Sequence, residues 1–381
     1  MTVALYSISS ALHRELIPDA ADEAFIQDIE KECGFGFVFR GEDFSDFGTH
    51  DRDLIYVRTG GTEGIFKKLG LKGDIRLLTS GKSNSLAASM EILSYINKTG
   101  GHGEILHGSA AFIAQRIQSE PDRTADNSWI KDIPWDRQLA GMRLGVIGRP
   151  SDWLISSDVD YAEAASKTGA ELVDVPMDEL LAEIRKFDGD LRSFQGSEAI
   201  YDALKTLVTR YGLSGLTIRC FDLLDTVHNT GCLALARLNA EGIPSSCEGD
   251  IPALISMAMA QKLTGCPGFQ CNLSRVDGDE LLFAHCTVPL TMLSSYRYAT
   301  HFESGIGTAI KGELPEGPVT IFKISPDLKH YVAIPGEIIR NQSEPDLCRT
   351  QIIVKAAGAG RYFLTATLAN HHIVVPGNLP L

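Results

Sequence analysis

The stretch Ile243-Pro244-Ser245-Ser246-Cys247-Glu248-Gly249-Asp250, followed at once by the apolar run Ile251–Leu263, decides how this chain is read. A short run of strand character, Ile243 to Cys247, meets a helix at an acidic turn. In open α/β sheets ligands bind beyond the carboxyl ends of the strands. Glu248 and Asp250 therefore stand where a metal is held or a proton is abstracted. Asp250 also occupies the N-cap position, where a carboxylate accepts the orphan amides of the first helical turn, and both roles stay open for it. Glu248 precedes the cap and has no structural duty in the sequence, which marks it as a functional carboxylate.

Outward from that turn, strand-like runs recur at Leu144–Ile147, Glu171–Val175, Leu216–Phe221, Phe269–Leu273 and Leu281–Cys286, with helices predicted over Asp178–Lys186 and Ser197–Tyr211. Upstream, Val3–Ile8, Gly36–Phe39, Leu54–Val57 and Ile75–Thr79 alternate with helical segments. Among these is Ser85–Asn97, with Asn84 available as a cap and Gly100-Gly101 as a stop. Strands alternating with helices indicate βαβ units and parallel sheets. Gln118–Asn127 and the Pro134-Trp135 turn read as a linker. Beyond Leu293 the helical period disappears. Val319–Ile324, Tyr331–Ile334, Gln351–Val354 and His372–Val375 are short β runs between Gly, Pro and Asp turns, the pattern of an antiparallel barrel or sandwich. The expected fold class is α/β: an amino-terminal α/β domain over 1–140, a second α/β domain over 141–293, and a small β-domain over 294–381.

The 381 residues exceed what one hydrophobic core organises. The formal charge of −14 argues against nucleic acid, which needs clustered Lys and Arg. No apolar stretch approaches the roughly 20 residues that span a bilayer, and Met1–Leu16 lacks a secretory pattern. None of the eight cysteines forms a CxxC pair, so free thiols and a cytoplasmic location are expected.

Glycine turns at Thr59-Gly60-Gly61-Thr62 and Gly148–Ser151 each follow a strand; neither is a dinucleotide fingerprint or a P-loop. Each is an ordinary tight turn or a set of amides for a ligand hydroxyl or anion. Trp153 is a stacking platform for a sugar or a packed aromatic. Arg149 and Arg219, at or just after strand ends, are anion partners or salt-bridge residues. His285 closes a strand whose end belongs on the same sheet edge as Glu248. His371 and His372 follow Asn370, and on a strand their rings point to opposite faces, so one of them is expected to act. Histidine and carboxylate together suit manganese or zinc. No GxSxG elbow marks a nucleophile.

The run CEGDIPALISMAMAQKLTGCPGF (Cys247–Phe269) resembles the carboxyl-terminal half of L-fucose isomerases and their shorter relatives, with L-arabinose isomerase a more distant cousin. So do AHCTVPL (Ala284–Leu290), THFESGIG (Thr300–Gly307), LCRTQ (Leu347–Gln351) and NHHIVVPG (Asn370–Gly377), while TGGTE (Thr59–Glu63) and GRPSDWLI (Gly148–Ile155) fit the shorter relatives. The resemblance implies two Rossmann-like domains followed by a β-barrel. It implies a divalent metal, usually manganese, and interconversion of an aldose and a ketose through an enediol. Glu248 matches the ligand and base, and His371 or His372 the carboxyl-terminal ligand. The family aspartate falls 24 positions after the glutamate, where this chain has Asn272. An amide oxygen binds a cation without charge and transfers no proton. Three alternatives follow: His285 takes over as ligand, Asp250 supplies the second carboxylate, or the metal site is weak. Asn272, Trp153, Arg219, Thr59 and Gly60 are the expected substrate contacts. The resemblance also implies a trimer or hexamer in which the first domain completes a neighbour's site. A non-catalytic sugar-binding protein, and a sugar lyase or epimerase, are the rival readings.

Overall fold

The computed structural model describes residues 1–10 and 23–380; part of the Met1–Leu16 stretch lies outside them. The first sheet is fully parallel and runs, in spatial order, Val38–Gly41, Val3–Ile8, Arg52–Val57, Asp74–Leu78, His102–Leu106. The second runs Ser245–Ser246, Gly215–Ile218, Arg143–Ile147, Glu171–Val175, again parallel. Each sheet reverses its winding beside its own first strand. A doubly wound sheet opens a crevice there, outside the carboxyl ends of the strands. Ser10 and Gly60 edge the first crevice; Trp153 and Phe221 edge the second.

Six of the remaining strands close an antiparallel barrel in the order Gly317–Ile324, His372–Pro376, Phe269–Asp277, Glu280–His285, Thr350–Lys355 and His330–Gln342, which pairs back with Gly317–Ile324, while Ser295–Ala299 and Ala309–Glu313 pair as a separate two-stranded sheet. A seventh strand, Ile130–Asp132, adds to the edge of His330–Gln342 from inside the stretch read as a linker. Two further readings are corrected here. Phe269–Leu273 and Leu281–Cys286, assigned from the sequence to the second α/β unit, are a barrel hairpin in register Asp277 with Glu280. The two-residue Gly278-Asp279 loop, with Gly278 at φ +58°, is hairpin chemistry. Their continuous apolar character imitated a buried parallel strand because the barrel interior and packed helices cover both faces. The run Ile243–Cys247 reduces to the two-residue strand Ser245–Ser246. A short helix, Gly360–Thr365, interrupts the carboxyl-terminal β region.

The helix Ile251–Thr264 is apolar all round, with Ile251 through Ala260 buried without interruption, as expected of a helix buried on every side. It lies between the second sheet and the barrel, where Leu254 and Met257 share a core with Phe322, Ile373 and Val375. Its amino terminus is thereby held at the junction of all three units. Among the described residues no helix is long and apolar enough to cross a membrane.

Candidate active site

The crevices of the two sheets face each other across a cavity of about 270 Å³, lined by Gly60 and Glu63 from the first domain, Trp153 and Glu248 from the second, and Asn272 and Asn370 from the barrel segment. The first domain thus contributes to this chain's own cavity.

Glu248 adopts a left-handed backbone, φ +67°, which costs energy for a residue other than glycine. Gly249 follows at φ +69°, and a Cβ there would lie 2.6 Å from the Arg149 carbonyl oxygen and 2.8 Å from Pro150 Cα. The acidic turn therefore docks directly on the Gly148–Trp153 turn, and the Ser151 amide donates to the Glu248 carbonyl at 3.2 Å. Gly249→Ala is expected to lose about 3 kcal/mol of stability, combining left-handed strain with overpacking. A wild-type urea midpoint in that variant would refute the close approach.

The Glu248 carboxylate, 14 % exposed, is held from two sides. Oε2 accepts a hydrogen bond from Trp153 Nε1 at 2.8 Å. Oε1 lies 3.4 Å from His371 Nε2 and 3.9 Å from His285 Nε2. Each histidine is anchored through its other nitrogen: His371 Nδ1 meets Asp250 Oδ2 at 2.8 Å, and His285 Nδ1 meets Thr287 Oγ1 at 2.8 Å. Both rings thus present Nε2 toward one carboxylate oxygen. A partner on Nδ1 that fixes the ring is the usual support of a metal-binding histidine. His371 Nε2 and Asn272 Oδ1 are buried without a hydrogen bond. Two open nitrogen donors, a carboxylate and an amide oxygen form a set that fits a divalent ion such as Mn²⁺.

Asp250 performs the capping role and more. Its side chain accepts from the Ala253 amide at 2.7 Å, orients His371, and lies 3.8 Å from Lys323 Nζ, with both Asp250 and Lys323 fully buried. Burial pushes its carboxyl up, but Lys323 and His371 outweigh that and hold it below the usual range. For His371, burial pulls the imidazole down, yet Glu248 and Asp250 raise it to about 9. Burial likewise opposes the ionised Glu248, and the two histidines hold it well below a normal glutamate. Asp250→Asn keeps the cap but strands the Lys323 charge, an expected loss of about 3–5 kcal/mol. Urea unfolding at pH 7 checks it; a loss below about 1 kcal/mol would show that the pair carries no such load.

The other sequence candidates divide. His372 turns to the opposite side of the strand, as alternation requires. Its Nδ1 meets the Asn370 carbonyl at 2.7 Å and its Nε2 meets the Tyr362 hydroxyl at 3.1 Å, and burial drives its imidazole down to about 3. It is a neutral core histidine with both nitrogens engaged, away from Glu248. Arg219 is committed to Asp152 at 2.8 Å and Asp222 at 3.0 Å, with its guanidinium over the Trp153 ring. Arg149 is exposed beside Asp152. Thr59 is fully buried and spends its hydroxyl on the Ser10 amide and the Gly60 carbonyl. Gly60 does line the cavity, but its amide donates to the Ser83 carbonyl. Asn84 makes no side-chain cap; in a left-handed conformation, it donates instead to Glu303 at 2.8 Å.

Sequence reasoning missed Glu63 and Lys323. Glu63 opens the helix Glu63–Leu69, is 3 % exposed, and leaves Oε2 without a hydrogen bond. Burial pushes its carboxyl up to about 8; the neighbouring Glu91, Glu248 and Glu303 add to the rise and a hydrogen bond from its own amide opposes it. The TGGTE motif contained it, but only the closing of the two crevices shows that it faces the cavity. Lys323 interrupts the apolar run Val319–Ile324, and a lone cation in a buried strand was the available signal.

No family model matches the chain. Similar curated proteins are sulfoquinovose isomerases. That of Alkalicoccus urumqiensis is 24% identical over 234 residues, 53% of this chain and 52% of the relative. That of Clostridium sp. (strain MSTE9) is 27% identical over 167 residues, 41% and 37% of the two chains. That of Priestia aryabhattai is 22% identical over 232 residues, 53% and 52%. In these matches the aligned part covers about half the length of the relative or less.

Proposed function

We propose that this chain is an aldose–ketose isomerase that acts on a monosaccharide with a divalent ion, of the manganese type, at Glu248, His285 and His371. The observation that carries the reading is the convergence of two anchored imidazoles on Glu248 Oε1 at the wall of a cavity shared by all three units. The sulfoquinovose isomerases similar to this chain support the same reaction class.

When bound, the ion polarises a sugar carbonyl and stabilises negative charge on its oxygen. The chain's own residues supply the rest. Glu248, ionised and oriented by Trp153, is the base for the proton carried between adjacent carbons. Asn272, as an amide, orients a hydroxyl and transfers nothing. Glu63, held protonated near neutrality by burial, donates to and recovers a proton from a sugar oxygen. Trp153 and Phe221 give the cavity an aromatic wall. Among the described residues no lysine or arginine lines it, while Glu63, Glu248 and Glu303 do.

The test is incubation of the manganese-loaded protein with D-glucose, sulfoquinovose and a panel of neutral aldoses in D₂O. Ketose formation with deuterium at the carbon next to the carbonyl is the expected result. A protein that takes up manganese stoichiometrically yet converts no aldose would defeat the isomerase reading and leave a sugar-binding protein in its place.

A further inference from the structure

Five of the chain's eight cysteines gather beneath the sugar-sized cavity. Cys220, Cys232, Cys247, Cys286 and Cys348 are all buried and line an adjoining chamber of about 20 Å³, whose wall also includes the polar side chains of Glu248, Asn272, His285, His301 and Glu303. A chamber of that size holds one ion or one water. Buried cysteine ordinarily packs as a small hydrophobe against apolar neighbours, as these five also do; here the thiols in addition share a chamber with a carboxylate and an imidazole, Glu248 and His285.

The arrangement is close to a coordination shell. Single donor atoms of Cys247, Glu248 and His285 all lie within 4.8 Å of one another. Cys220 Sγ is 2.9 Å from Cys247 Sγ, so a fourth donor stands beside the third. A tetrahedral ion with bonds of about 2.0–2.3 Å sets its donors roughly 3.3–3.8 Å apart. Side-chain adjustments of about an ångström therefore close the shell. Mixed sulfur, nitrogen and oxygen donors select zinc-like ions over manganese, because soft thiolates bind soft cations.

We propose that this chamber binds one thiophilic d¹⁰ cation of the zinc or cadmium type through Cys247, Glu248 and His285, with Cys220 as fourth donor, and that its occupation excludes the hard divalent ion. The exclusion follows from the shared Glu248 and His285. Each thiol that binds releases one proton to solvent, and no oxidant or reductant is involved. The binding itself does not depend on the isomerase reading.

The experiment titrates the metal-free full chain with Cd²⁺ and follows the thiolate-to-cadmium charge-transfer absorption, with bound Mn²⁺ followed in parallel by electron paramagnetic resonance. One equivalent of Cd²⁺ should saturate the band and displace Mn²⁺ one for one. The band should be lost in Cys247→Ser, fall about twofold in Cys220→Ser, and persist in Cys266→Ser, where the thiol is exposed and outside the chamber's lining. Glu248→Gln, which leaves every thiol in place, should weaken Cd²⁺ binding at least tenfold, so a folding defect in the serine variant cannot mimic the result. No band in the wild-type protein, or an undiminished band in Cys247→Ser, would overturn the site. Both ions bound together would overturn the exclusion. Manganese uptake without cadmium uptake would remove this inference and leave the proposed function standing; cadmium uptake without manganese uptake would do the reverse.

Discussion

Glu248→Gln is expected to purify without stoichiometric metal and to lose roughly 10⁴-fold in turnover. The substitution preserves size, and the amide oxygen can still accept from Trp153. It removes the one negative charge toward which both imidazoles point. It also removes the base, since an amide takes no proton at neutral pH. The His371 imidazole should fall below its present value of about 9, because the Glu248 carboxylate leads the interactions that raise it. Elemental analysis and single-turnover kinetics check the two losses separately. A variant that keeps full metal content and more than a tenth of the wild-type rate would show that Glu248 is neither ligand nor base.

The second large effect is expected at Glu63. Glu63→Gln should lower turnover by about 10²–10⁴-fold while metal content stays at the wild-type level. The pH profile carries the signature. A group that donates a proton works while protonated, so wild-type activity should decline as pH rises through about 8, where Glu63 ionises. The residual activity of the glutamine variant should show no such limb. The substitution should move stability in the opposite direction to turnover. The folded-state pKa of Glu63 lies above that of an unfolded glutamate, near 4.3. The folded chain therefore holds this proton more tightly, and stability is lost as pH climbs from about 4.3 through 8. Replacing the acid with a neutral amide removes that loss, so Glu63→Gln should unfold at a higher urea concentration than wild type at pH 8. Retained activity, or a midpoint below wild type with the pH slope unchanged, would end the assignment.

Local signals made much of this legible. Alternating strands and helices predicted two parallel sheets, and the carboxyl-terminal β runs predicted an antiparallel barrel or sandwich, because each pattern is written over neighbouring residues; the choice of a barrel came from the family resemblance. The hairpin Phe269–Asp277 and Glu280–His285 was assigned to the wrong sheet, since burial on both faces erased the alternation that marks an antiparallel strand. At the site, Glu248, Asp250 and His285 were found through their positions at element ends, and Asn272 only through the family resemblance, 24 positions after Glu248. The choice between His371 and His372 needed only strand alternation plus the facing residues, and the facing residues are not in the sequence. Asn84 shows the limit from the other side: its cap was a sound local expectation, overridden by Glu303, which lies 219 positions away. Glu63 depends wholly on such distant neighbours, and Lys323 shows locally only that a cation interrupts an apolar run.

The strand His372–Pro376 closes the barrel, with Val374 paired to Phe269 on one side and to Ile321 on the other. His371 immediately precedes it and meets Asp250 and Glu248 from there. On the ribosome this segment emerges after every other strand of the barrel. A nascent chain can fold both parallel sheets, and expose Glu248 and His285, well before His371 exists. Completing the cluster and sealing the barrel are consequently one event in biogenesis. A stalled or clipped chain that never threads this strand keeps its acidic turn but lacks the imidazole that faces it, so assembly of the site reports that the barrel has closed.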